Sequence, residues 1–184
     1  DNGVGMGRAV ARDITRSLQA ERERHAKART EAAEIIAACE RKTHPYLVAK
    51  GFPDTVGLVH SNGDLIIPMR DVHDYGVVNT AQRIAPDGDK LFLTGGKAKG
   101  SIFILGKGAR RERWLVEGYA TGLSVQAALI DMRTPAEVWV CFSAGNMVYV
   151  SEFVQGKARV FADNDESGAG KNAAEKTMRP WTMT

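Results

Sequence analysis

Three carboxylates stand where strands would end. The apolar run Trp114-Leu115-Val116 leads into Glu117-Gly118, and Arg159-Val160-Phe161-Ala162 leads into Asp163-Asn164-Asp165, followed by Ser167-Gly168-Ala169-Gly170. Side chains alternate along an extended chain, so Asp163 and Asp165 point to one side. If the two strands are neighbours, the three acids converge. Negative charges so close repel strongly in a partly desolvated cleft, and a divalent cation relieves them. Magnesium suits such a place, since it takes oxygen ligands, keeps several waters and often needs only one or two carboxylates beside substrate phosphates. Each acid also has a reading of its own: Asp165 as the cap of a helix near Ala169, Asp163 as a turn residue, Glu117 as a salt-bridged strand end. Their joint placement at strand ends favours the cation site.

The surrounding pattern supplies the frame. From Trp114 onward the chain alternates strand and helix: Trp114–Glu117, Thr121–Met132, Val138–Phe142, a weaker helix near Val148–Val154, Arg159–Ala162 and Ala169–Met178. Such alternation, with nearly continuous apolar strands, predicts a parallel sheet covered by right-handed crossovers, and open parallel sheets bind ligands at the carboxyl ends of their strands. Before it, short β runs predict a small antiparallel sheet. Gly57–His60 and Leu65–Pro68 flank Ser61-Asn62-Gly63-Asp64, whose Asn-Gly signals a hairpin, and Pro86-Asp87-Gly88-Asp89 turns the chain before Lys90–Leu93. From Arg8 to Arg41 the Ala-, Glu- and Arg-rich chain lacks Gly and Pro and predicts one long helix, ended by Thr43-His44-Pro45. Its apolar Val10, Ile14 and Leu18 repeat every fourth residue, then yield to Glu21-Arg22-Glu23-Arg24, so its middle is expected to stand in solvent as a spacer or an interface helix. The expected division is a helix over 1–44, a basic β-rich lobe over 45–112 and an α/β domain over 113–184.

Composition narrows the classes. The 184 residues are 43% hydrophobic and 26% charged, as in ordinary globular proteins, and no run approaches the roughly 18 apolar residues of a membrane span. With two distant cysteines, Cys39 and Cys141, neither a disulfide framework nor a zinc module can be drawn, and a chain opening on Asp1 without a leader reads as a cytoplasmic fragment of something longer. His25, His44, His60 and His73 share no metal-ligand spacing, and no Ser or Cys is paired with one of them for nucleophilic chemistry. Ser167–Asn172 imitates a P-loop end but has Asp165 and Asn172 where Gly and Ser or Thr are required, and Gly3–Gly7 imitates a dinucleotide fingerprint without a preceding strand. Net charge is +3, yet within 90–113 Lys90, Lys97, Lys99, Lys107, Arg110, Arg111 and Arg113 face the single acid Glu112. That segment is either a track for an anionic partner or a solvated loop neutralised by acids elsewhere in the fold.

Taken together, these residues resemble a family. Glu117-Gly118-Tyr119, Asp163-Asn164-Asp165, Gly168, Ala173 and Ala174 are similar to the Toprim domain shared by bacterial-type primases, topoisomerases and some nucleases. The acidic pair stands in the primase Asp-x-Asp-x-x-Gly context, with two extra residues near Gly170-Lys171 before the Ala-Ala helix. Upstream, His44-Pro45-Tyr46-Leu47 with Lys50-Gly51, Leu65–Asp71 and Gln82-Arg83-Ile84 through Lys90 resemble the basic lobe that precedes Toprim in primases. Glu117–Gly122 most resembles the forms of phages, plasmids and integrated elements, and the resemblance covers roughly 44–182. It implies a DNA primase that makes RNA primers on single-stranded DNA from nucleoside triphosphates, with Glu117, Asp163 and Asp165 as catalytic acids holding Mg²⁺ or Mn²⁺. Arg83 and Lys90 would contact template or nucleotide, with Lys97 and Lys99 beside them, and a replicative helicase would be a further partner. Two alternatives share these features: a Toprim nuclease, and a non-catalytic nucleic-acid or helicase-docking module. Thr121 stands where cellular primases commonly carry a further Asp, and neither the Cys-rich zinc module that usually precedes such a core nor the further strand and acidic loop that usually follow Trp181 is read in these residues.

Overall fold

The helix expected at the start forms, and it ends four residues early. In the computed structural model, which describes residues 2–106, 112–162, 168–177 and 179–183, α1 runs Asn2–Ala37, and Glu40–Lys42 then forms strand β1. The chain continues through α2 (Pro45–Ala49), β2 (Gly57–Val59), β3 (Leu65–Asp71), β4 (Val78–Ile84), β5 (Lys90–Phe92) and β6 (Ser101–Leu105). Then follow β7 (Glu112–Val116), α3 (Tyr119–Asp131), β8 (Glu137–Val140), α4 (Ala144–Ser151), β9 (Lys157–Ala162), α5 (Ala169–Lys176) and β10 (Trp181–Met183).

Turn chemistry builds the lobe. Gly63 takes a φ of 94° between β2 and β3, where its N–H reaches the His60 carbonyl at 2.9 Å. A side chain would be strained there, which is why Asn-Gly marks the turn. Gly88, with a φ of 100°, does the same before β5. Strands β1 to β5 pair antiparallel, β2 with β1 and β3, β4 with β3 and β5. On one face, Ile66, Ala81 and Leu93 receive Ala32, Ile35 and Ile36 of α1. Ala28 and Ala32, one turn apart, are buried because only small residues let the helix lie this close to the sheet. Val10, Ile14 and Leu18 are each about half exposed, so the amino-terminal half of the described helix leaves the body.

The second sheet is the expected parallel one. β7 pairs in parallel with both β8 and β9, and β9 with β10. Strand β6 joins the halves: Arg70 and Asp71 of β3 face Ile102 and Ser101, while Phe103–Leu105 pair antiparallel with Val138–Val140 of β8. Among the described residues, the strand order is therefore β1-β2-β3-β6-β8-β7-β9-β10, with β4 and β5 branching from β3. Helix α3 packs on the face that Leu105, Val116, Val138 and Val140 share with the lobe's Leu65, Ile67 and Ile84. Helices α4 and α5 cover Leu115, Cys141, Val160 and Ala162 on the other. No helix among the described residues is long and apolar enough to cross a membrane.

Candidate active site at the carboxyl edge of the sheet

Because β7, β8, β9 and β10 run in parallel, their carboxyl ends line one edge. Val116 registers with Val140 and with Phe161, which puts Glu117 between the end of β8 and the end of β9. The β7–β8 pairing continues past the strands proper: the Cys141 amide donates to the Val116 carbonyl and the Phe142 amide to the Glu117 carbonyl, both at 2.8 Å. Gly118 then caps α3, and the Gly122 amide returns to its carbonyl at 2.9 Å. A Cβ on Gly122 would lie 2.8 Å from Val140 Cγ2 and 3.0 Å from Leu105 Cδ1, so glycine there lets α3 settle on the sheet and fixes how Glu117 leaves β7. Burial first, and the Glu117 charge second, push the Cys141 thiol up, which marks the carboxylate as close to that strand end and the thiol as inert. Asp163 and Asp165 lie outside the described residues. The strand that leads into them, β9, is the neighbour of β7 that convergence requires.

The same edge collects groups from the lobe. Strand β6 is antiparallel to β8, so its first residues, and Lys97 and Lys99 before them, stand at the carboxyl edge. Lys97 Nζ meets Asp71 Oδ2 at 3.0 Å, and Lys99 Nζ lies 4.5 Å from the centre of the Tyr149 ring on α4. Burial alone would raise the Asp71 carboxyl, but hydrogen bonds from Asn79, the His73 amide and Lys97, with the Lys97 charge, bring it down to about 2. Lys90 sits 5.6 Å from the centre of the Tyr46 ring, and Tyr46 shares a cluster with Tyr119. Burial, and next the nearby Tyr46, push the Tyr119 phenol up to about 12 against the opposing charge of Arg41. Arg83 is elsewhere. It shares a face with Ala81 towards α1, whereas Lys90 registers with Ile84 on the opposite face, and its guanidinium grips Asp64 Oδ2 at 2.7 and 2.5 Å.

The basic segment is thus divided between the two ends of the sheet. Leu105 registers with Val138 and Glu112 opens β7, both at the amino edge, about 15 Å of strand from Glu117. Arg113 is buried there, in an ion pair of 3.4 Å with Glu137 and beneath the Trp139 ring, so its charge serves the fold. Lys107, Arg110 and Arg111 lie outside the described residues. An open cleft of about 540 Å³ at this amino end is lined by Gly106, Gln126, Ile130 and Pro135 among others, with no ionisable side chain among the described residues.

One organising residue escapes a reading by spacing. Asn146 is buried in the first turn of α4, which begins at Ala144 behind its Ser143 cap and not near Val148. Its oxygen accepts the Gly100 amide at 2.7 Å, and its Nδ2 donates to the Ser101 and Cys141 carbonyls at 2.8 and 2.7 Å. It ties the Lys97–Gly100 loop to the end of β8. Polar residues in a first turn are common as caps, so only the fold tells this asparagine apart.

Residues 112–182 match the family model described as the Toprim domain. That segment is similar to the Toprim domain over its whole matched length. Among solved structures, the chain is similar to the primase fragment of the bacteriophage T7 primase-helicase protein, at 17% identity and a TM-score of 0.49, covering 76% of this chain and 59% of that one. It is also similar to bacteriophage T7 primase domains bound to an RNA/DNA hybrid and dTTP with the lagging-strand DNA polymerase, at 18% identity and a TM-score of 0.42, covering 65% and 64%. The chain therefore spans about three-fifths of those it matches. The matched segment begins at β7 and includes Glu117, Asp163 and Asp165 in sequence.

Proposed function

We propose that the chain is the catalytic core of a DNA primase of the phage, plasmid or mobile-element kind, joining ribonucleotides into a short primer on single-stranded DNA. One observation supports this most: the Toprim sheet sets β7, which ends at Glu117, in parallel register beside β9, which leads into Asp163-Asn164-Asp165. The donor set is all carboxylate oxygen, the kind that suits a hard cation such as Mg²⁺ or Mn²⁺. Glu117, Asp163 and Asp165 would hold the ion, which when bound supplies positive charge at the reacting phosphate and favours ionisation of the primer 3′-hydroxyl. The carboxylates themselves fix where the phosphates sit. Lys97 and Lys99, at the same edge, offset the acids' repulsion of an incoming polyanion and orient the strand. Lys90, on the lobe face turned to the Toprim domain, is placed to meet template or nucleotide. Arg83, held by Asp64, would act on a strand crossing the α1 face.

One incubation separates the readings. With single-stranded DNA, labelled ribonucleotides and Mg²⁺ or Mn²⁺, a primase yields RNA oligomers. Cut DNA without RNA would make the same acids those of a nuclease, and bound but unchanged DNA would leave a docking module.

A further inference from the structure

The carboxyl edge carries two aromatic rings that the three acids do not explain. Phe142 ends the β8 pairing with a φ of 69°, a left-handed backbone that a bulky side chain seldom adopts. Strained residues of this kind persist only where their surroundings over-determine them, and they gather at ligand sites. The surroundings here are explicit. Its amide is bonded to the Glu117 carbonyl, and Ser143 next to it caps α4. The half-buried ring packs on one side against the core shared by the sheet and the lobe and meets Phe92 of β5 edge to face, with centroids 6.4 Å apart at 80°. Phe92 is 45% exposed and belongs to none of the core clusters among the described residues. A side chain with no core to fill has no packing reason to be aromatic. Lys90, two residues earlier, shares the face of Phe92, and a cation there suits a ligand with phosphates.

We propose that Phe92 and Phe142 form a platform on which a nucleobase stacks while its phosphates lie towards the Glu117 edge. The identity of the ligand as a nucleotide rests on the primase reading; the platform itself rests on the two rings. Every base offers a flat π face, so the platform would be indifferent to sequence. The base belongs either to an incoming nucleoside triphosphate or to the template strand, and the chemistry of recognition is the same.

The test compares ligands with and without bases on the whole chain in Mn²⁺: ATP against inorganic triphosphate, and an oligothymidylate against an abasic strand of equal length. The wild type should prefer the base-bearing partner by roughly 5- to 150-fold per stacked base in at least one pair. The pair that discriminates identifies the source. Phe92→Leu and Phe142→Leu should each shrink that preference and the double variant abolish it, without changing affinity for the base-free partners, while Phe92→Trp should keep it. If Phe142→Leu does not fold, the exposed Phe92 and its two variants carry the test alone. Equal binding of both members of both pairs by the wild type, or full discrimination by the double variant, overturns the platform. None of these measurements needs turnover, so absent primer synthesis with intact base preference would sink the primase reading and spare the platform. The converse result would do the reverse.

Discussion

A carboxylate in a cluster of three is destabilised by its neighbours until a cation joins them, which sets opposite expectations for folding and for binding. On the proposed primase reading, Asp163→Asn and Asp165→Asn each remove one charge from a repelling group, so the metal-free protein should melt no lower than the wild type. With Mn²⁺ at a hundred times its dissociation constant the wild type should gain about 2.7 kcal/mol, or roughly 5–10 °C in a chain of this size. The double variant should gain nothing and make no primer. Paired melts with and without Mn²⁺ decide it, and an equal gain in the double variant would remove the metal site. Asp71 tests a different charge. Its carboxyl, held near 2 in the fold, titrates near 3.9 when unfolded, so its contribution is complete above about pH 4 and drains as pH falls towards 2. With 15% of the side chain exposed, that contribution is on the order of 2 kcal/mol. Urea titrations of Asp71→Asn should show a deficit of that order at pH 7 that shrinks towards zero by pH 2.

At the scale of elements, fit to the sheet outweighs propensity. Alanine is a better helix former than glycine by about 1 kcal/mol, and at Gly145 of α4, where an added Cβ meets nothing within 4 Å, Gly145→Ala should stabilise by roughly that amount. Gly122→Ala should lose instead, because its Cβ would press on Val140 and Leu105 and overpacking costs about 1–3 kcal/mol. A rise in melting temperature for Gly122→Ala would mean that α3 is free to shift, and the position of Glu117 with it. The same scale shows what could be read in advance. The two turn glycines Gly63 and Gly88 announced their hairpins because a positive φ leaves a chemical signature. Strand β1 left none: Glu40, Arg41 and Lys42 are exposed and pair with β2 through main chain alone, so they read as the end of a helix. The burial of Arg113 and the three bonds of Asn146 were equally silent, since each depends on partners distant in sequence.

Across the whole molecule, charge acts according to the end of the sheet on which it stands. The run of basic residues over 90–113 looks continuous in sequence, yet β6 carries the chain from the carboxyl edge to the amino edge in five residues. Lys97 and Lys99 therefore stand at the carboxyl edge, the edge at which β7 ends before Glu117, and Arg113 is used by the core. The charge is legible in the sequence and this division is not, because β6 pairs on one side with the lobe and on the other with β8, a junction without a local signature. A strand directed to Glu117 should feel the two lysines and ignore a cation at the far end. Each phosphate contact contributes roughly 0.7 to the slope of log affinity against log salt for a single strand. Lys97→Ala with Lys99→Ala should lower that slope by about 1.4 for any sequence, with metal affinity unchanged. Lys157, exposed at the amino end of β9, supplies the control. Its exchange for alanine removes one unit of net charge, as each lysine exchange does, so a general electrostatic effect would make the three single variants alike. A slope that falls for Lys97→Ala and Lys99→Ala and holds for Lys157→Ala puts the strand at the carboxyl edge. Equal slopes in all three would put it elsewhere, and would separate the template from the acids it is supposed to reach.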